Sequence, residues 1–161
     1  MISNAVISAD GKYRYTLTRE WGQYRRMLFV MLNPSTVDAE VDDPTIRRCI
    51  GFAEREQCDS LEVVNLYAYR ATDPNELKQQ LDPEGPLNGR HVIEAKGRAA
   101  IVVAAWGARA RLHLNRHYRS LLDSPYVFGL TKLGFPLHPL YLKADTPLVR
   151  WSEVEARAGG T

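Results

Sequence analysis

Three polar residues stand where apolar runs stop. Asn33 follows the run MLFVML (27–32) and opens Asn33-Pro34-Ser35; Asn65 interrupts the run 61–66. His138 lies in the loop 131–139, which also carries Thr131 and Lys132 and follows a fourth candidate strand at 126–130. A side-chain amide presents a donor and an acceptor together, which suits it to reading the edge of a heterocycle or to holding a water. It orients a water but cannot take its proton at neutral pH. Plainer readings stand beside these: Asn33 starts a turn before Pro34, Asn65 satisfies neighbouring backbone, and a His before Pro is structural.

Asp42 and Asp43 follow the Asn33 loop and precede a helical pattern. They are candidate acids, or simply a helix cap, which is the better-supported reading from sequence. Arg109, Arg111, Arg116 and Arg119 follow the third apolar run and are candidates for phosphate contact. Their spacing does not form one helical stripe, so only part of the set can face one ligand. His113 and His117 are four apart, a metal-ligating spacing, but lack the nearby Glu of a metalloprotease helix, so no metal is expected. Trp106 before Gly107 carries no catalytic weight. No P-loop and no G-x-S-x-G elbow occurs.

The elements that must position these groups follow from periodicity. Asn4–Ser8, the turn Asp10-Gly11 and the alternation of Tyr13, Tyr15 and Leu17 with Arg14, Thr16 and Thr18 predict an N-terminal β-hairpin within 1–22. The runs 27–32, 61–66 and 99–105 read as strands buried on both faces, with a fourth at 126–130. Between them, 43–57, 75–80, 87–98 and 109–122 read as helices, the first started by Asp42 or Asp43 and Pro44. Alternating strands and helices predict an α/β chain: a three-layer α/β/α sandwich around a four-stranded parallel sheet. Binding crevices in such sheets lie beyond the carboxyl ends of the strands, so Asn33, Asn65 and His138 are expected on one rim.

The chain has 161 residues, 45% hydrophobic and 25% charged, which predicts one globular domain over 1–161 with a frayed tail at 156–161. No apolar run is long enough for a membrane span, and the start lacks a secretory pattern, so a cytoplasmic protein without a membrane partner is expected. Two cysteines, Cys49 and Cys58, exclude a zinc ribbon or disulfide scaffold. The net charge of +2 conceals a dipolar chain: residues 36–94 sum to −7 and residues 95–143 to +7. A local anion-attracting face and a solvated basic helix face are both compatible with that division.

Over almost its whole length the chain resembles the bacterial family known as domain of unknown function 1643. The resemblance is carried by LNPST (32–36), DDPTIRR (42–48), VVNLYAYRATDP (63–74), AWG (105–107) and TKLGFPLHPLY (131–141). More distantly, the order of these blocks resembles the uracil-DNA glycosylase superfamily, an α/β sandwich around a four-stranded parallel sheet. Met31-Leu32-Asn33-Pro34-Ser35 is similar to its water-positioning motif, Asn65 falls where a base-reading Asn closes the second strand, and His138-Pro139-Leu140 is similar to H-P-S. Ser35 replaces Gly or Tyr, Leu140 replaces Ser, and the four cluster-binding cysteines of the iron-sulfur members are absent.

The resemblance implies hydrolysis of an N-glycosidic bond to a pyrimidine, in DNA or in a nucleotide. Asn33 would hold water near C1′, His138 would donate to the base oxygen as charge develops, and Asp43 is the alternative acid. Asn65 would pair with the base; base flipping would also need an aromatic platform, for which Tyr67, Tyr69 and Phe52 are candidates, with core or hairpin packing the plainer reading of each. Ser35, Arg109, Arg111 and Lys132 are the phosphate-binding candidates, with no cofactor expected. The alternative is a noncatalytic nucleic-acid or nucleotide binding module that keeps a degenerate glycosylase pocket.

Overall fold

The structure, a computed structural model, describes residues 1–36 and 40–159. Its elements are β1 Ile2–Ile7, β2 Arg14–Glu20, β3 Arg26–Met31, α1 Pro44–Arg55, β4 Ser60–Asn65, α2 Asn88–Arg98 and β5 Ile101–Ala104. They continue with α3 Leu112–Leu121, β6 Tyr126–Val127, β7 Val149–Arg150 and α4 Trp151–Gly159, with short 3-10 turns at Pro74–Gln79 and Pro139–Tyr141.

The sheet is mixed and has seven strands in the order β1-β2-β4-β3-β5-β6-β7. This corrects the expected sheet of four parallel strands. The parallel block β4-β3-β5-β6 is present, but β2 of the N-terminal hairpin pairs antiparallel with β4, and β7 pairs antiparallel with β6. Both edges of the block are therefore covered by added strands, which satisfies backbone groups that an open edge would leave unpaired.

Alternation along β3 sends side chains to two cores. Leu28 and Val30 pack with Val92 and Ala95 of α2 and Leu114 and Tyr118 of α3. Met27, Phe29 and Met31 pack with Ile46, Cys49, Phe52 and Ala53 of α1. Helices thus cover both faces. Leu28, Phe29 and Val30 are fully buried, and each such side chain stabilises the fold by roughly 1.5–3 kcal/mol relative to exposure.

The connection through α1 places β4 on one side of β3, whereas the next, through α2, brings β5 to the other side. Connections leaving β3 and β5 therefore diverge at their carboxyl ends, which opens a crevice there.

Several boundaries differ from expectation. The segment 75–80 is a 3-10 turn, and Arg109–Arg111 precede α3 rather than belonging to it. β6 is only two residues long because Gly129, at φ 141°, turns the chain away, and Leu130 bridges Pro136 instead. The expected frayed tail is helical through Gly159, anchored by the buried Trp151; Gly160 and Thr161 lie outside the described residues. Among the described residues no helix is long and apolar enough to cross a membrane.

Candidate functional site

A cavity of about 450 Å³ occupies the crevice beyond β3, β4 and β5, within the size range of small-molecule sites. Asn33, Ser35, Asp43, Asn65, Arg109 and His138 all line it, together with Arg14 and Trp106. Tyr67 and Arg111 line an adjoining cavity instead. Lys132 is exposed in the turn after β6 and lines neither.

Asn33 is held at the end of β3 by two hydrogen bonds from its Nδ2, to the carbonyls of Ala71 (2.9 Å) and Pro34 (3.1 Å). Two carbonyl acceptors fix which side of the amide carries the hydrogens. No donor among the described residues reaches the Oδ1, which is left to accept from a ligand or water. Asn33→Asp would set a carboxylate against those two carbonyls, raising its pKa by favouring the neutral acid. The expected result is a loss of about 2 kcal/mol at neutral pH. Because the folded variant holds its proton more tightly than the unfolded chain, the deficit grows as pH rises through the carboxylate range. Urea melts of variant and parent at pH 4.5 and 7.5 check this; equal deficits at both would contradict it.

Asn65 ends β4, is 3% exposed, and its side-chain amide has no hydrogen-bond partner among the described residues. Its own backbone is fixed by Asn88 at the start of α2, whose Nδ2 donates to the carbonyls of Asn65 (2.7 Å) and Leu66 (3.3 Å). The Asn65 amide oxygen and nitrogen are not among the buried unpaired atoms of the described residues; they reach the open cavity and offer a ligand a donor and an acceptor together.

His138 precedes the 3-10 turn at Pro139, and its Nδ1 accepts from the Leu140 N–H at 3.2 Å. With Nδ1 occupied as acceptor, the neutral ring carries its hydrogen on Nε2. Burial pulls its pKa below the usual imidazole range, against the opposing pull of Asp43. Gly107 packs behind it: a Cβ there would lie 3.5 Å from the His138 Cβ, and its φ of +79° favours glycine. The Gly107 N–H also ties β5 to the His138 loop through the Pro136 carbonyl (2.9 Å).

The two adjacent aspartates separate in role. Asp42 neutralises the fully buried Arg19 (Nε to Oδ1, 2.7 Å), which also donates to the Thr18 carbonyl. Asp43 caps α1, accepting from the Ile46 N–H at 2.8 Å, and at the same time lines the cavity. Among the described residues it is the only carboxylate that does so. Capping and access to the cavity are therefore compatible in one side chain.

Arg14 was not legible as a site residue, because alternation in the hairpin assigns it to solvent. In the structure β2 is an interior strand, and Arg14 is 6% exposed. Burial, reinforced by repulsion from Arg70 and opposed by Asp43, lowers its pKa to about 10. It remains a cation at neutral pH. The aromatic wall of the main cavity is Trp106, whose Nε1 donates to Asn115 Oδ1 at 2.9 Å. Phe52 packs against Phe128 in the core and Tyr69 against Tyr13. His113 and His117 are exposed on α3, and among the described residues no group of three or more metal-ligating side chains occurs.

The model of a family described as "Protein of unknown function (DUF1643)" matches residues 14–140. The chain belongs to this family. The stretch matching the DUF1643 family contains every cavity residue named above, from Arg14 to His138. No curated protein and no solved structure matches the chain.

Proposed function

We propose that this protein is a glycosylase-like enzyme that seats a pyrimidine base in the main cavity and hydrolyses its N-glycosidic bond, in DNA or a nucleotide. One observation carries the reading: Asn33 and Asn65 at two strand ends and His138 in the loop after β6 share a cavity, and Asn33 Oδ1, the Asn65 amide and the His138 Nε2–H have no hydrogen-bond partner among the described residues. The parallel block β4-β3-β5-β6 with helices on both faces supports a sandwich of the uracil-DNA glycosylase type.

In this mechanism Asn65 pairs with the N3–H and O4 of the base. Asn33 Oδ1 holds a water that adds to C1′, and Asp43 accepts the water's proton, the step an amide cannot perform. The C1′–N bond breaks with its electron pair leaving on the base, and His138 Nε2–H donates to the base oxygen where that charge develops. The proton on Asp43 then returns to the base through solvent. Trp106 supplies the aromatic wall against the base.

The test is release of free base, read by mass spectrometry, from oligonucleotides carrying uracil, thymine mismatches or oxidised pyrimidines, and from nucleosides and nucleotides. Release that Asn65→Ala abolishes is expected. A second reading, a binding module without chemistry, is favoured by the presence of an amide rather than a carboxylate at position 33, with its Nδ2 committed to backbone. No release at stoichiometric protein, with Asn65-dependent binding retained, would select that second reading.

A further inference from the structure

The adjoining cavity, of about 360 Å³, shares Leu32, Pro74 and Arg109 with the main one, so the two compartments meet at a common wall. Among the described residues its lining contains Lys78, Arg109 and Arg111 and no acid. Most other arginines are neutralised or tied to backbone: Arg98 pairs with Glu62, Arg26 with Glu20, Arg119 with Glu155, and Arg55 bonds loop carbonyls. The side chains of Lys78, Arg109 and Arg111 have no ion-pair or hydrogen-bond partner among the described residues; Arg111 is held through its backbone, whose carbonyl accepts from the Asn115 N–H at 3.0 Å. Glu84, whose charge is felt at Tyr67, is outside the lining. Three exposed cations lining one bounded recess, one of them also lining the main cavity, make a local anion site.

We infer that this second compartment takes the phosphate of the same pyrimidine nucleotide whose base enters the main cavity, so that the ligand is a mononucleotide rather than a nucleic-acid strand. The inference rests on the base-cavity reading and adds the substrate class. A strand needs cations that continue along a track. Here, beyond the recess, Arg119 is bound to Glu155 and Lys96 to the Leu121 carbonyl, while Arg116 and Lys132 are exposed and line neither cavity. The recess is closed on one side by the buried Tyr67 and Leu77, which suits one phosphate group and not a chain of them.

Calorimetric titration of the intact protein with uridine, thymidine, their 5′-monophosphates, inorganic phosphate and a single-stranded oligonucleotide tests this. The monophosphates are expected to bind on the order of 10- to 100-fold tighter than the nucleosides, with a salt dependence of about one released ion. In Lys78→Gln/Arg111→Gln, two exposed positions, the ratio of nucleotide to nucleoside affinity falls towards one. Equal affinities for nucleoside and nucleotide, both lost in Asn65→Ala, would overturn the phosphate compartment and leave the base cavity standing. Phosphate binding abolished in the double variant, with nucleotides no tighter than phosphate alone, would overturn the base cavity and with it the nucleotide. An oligonucleotide that binds tighter than any mononucleotide, with several ions released, would overturn the mononucleotide assignment alone.

Discussion

His138→Ala is expected to slow base release by about 10²- to 10³-fold, the usual cost of removing one preorganised donor from a developing oxyanion. The donor in question is the Nε2–H, oriented because Nδ1 accepts from Leu140 N–H. Protonating Nδ1 would set two N–H groups against each other and release the ring, so the parent's rate should also fall in acid. Stability follows the same sign. The folded imidazole has a lowered pKa, so below the ordinary histidine value near 6.5 the unfolded chain binds the proton more readily. The stability owed to neutral His138 is present above that value and lost as pH falls through the lowered folded pKa. The Ala variant should lose this part of the slope. Release rates across pH 5–8 and urea melts at both ends measure the two effects; an unchanged rate in His138→Ala would remove the residue from the chemistry.

Trp106→Ala should cost about 3–5 kcal/mol, the largest stability loss of any cavity-lining change. The side chain is 1% exposed, packs against Trp151 with centroids 5.6 Å apart and Tyr118 at 6.3 Å, and bonds Asn115. Asn115 in turn donates to the Gly134 carbonyl at 3.0 Å, so the network links β5 to the loop that carries His138. Trp106→Phe keeps most of the packing but strands the Asn115 acceptor, at about 1–3 kcal/mol. Denaturant midpoints rank the two variants. If Phe were as costly as Ala, the hydrogen bond rather than the ring volume would dominate.

The strand ends were legible because continuous apolar runs stopped at polar residues: Asn33 and Asn65 emerge at one rim since parallel strands deliver their carboxyl ends together. Asp43 was legible as a cap because Pro44 follows it, although a cap signal contains nothing about a cavity. Arg14 was hidden for a physical reason. Alternation reports burial only for a strand with one wet face, and β2 is sandwiched in the sheet with the cavity at its start. Asn88 was hidden because its work is to satisfy two backbone carbonyls distant in sequence. β7 is two residues long, too short for any periodicity to register. Lys132 was grouped with His138 by proximity in the chain, but the turn at Thr131–Gly134 carries it outward, as the Gly134 N–H to Thr131 carbonyl bond shows.

The main cavity has walls from β2 and from the loop at His138, segments near opposite ends of the chain. A ligand lodged there touches parts that only the folded chain brings together, so the unfolded chain has no comparable affinity for it. Binding is therefore linked to folding: at a hundred times its dissociation constant a ligand adds about 2.7 kcal/mol to global stability. A melting-temperature screen of nucleobases, nucleosides and nucleotides would thus register occupancy whether or not a bond is broken.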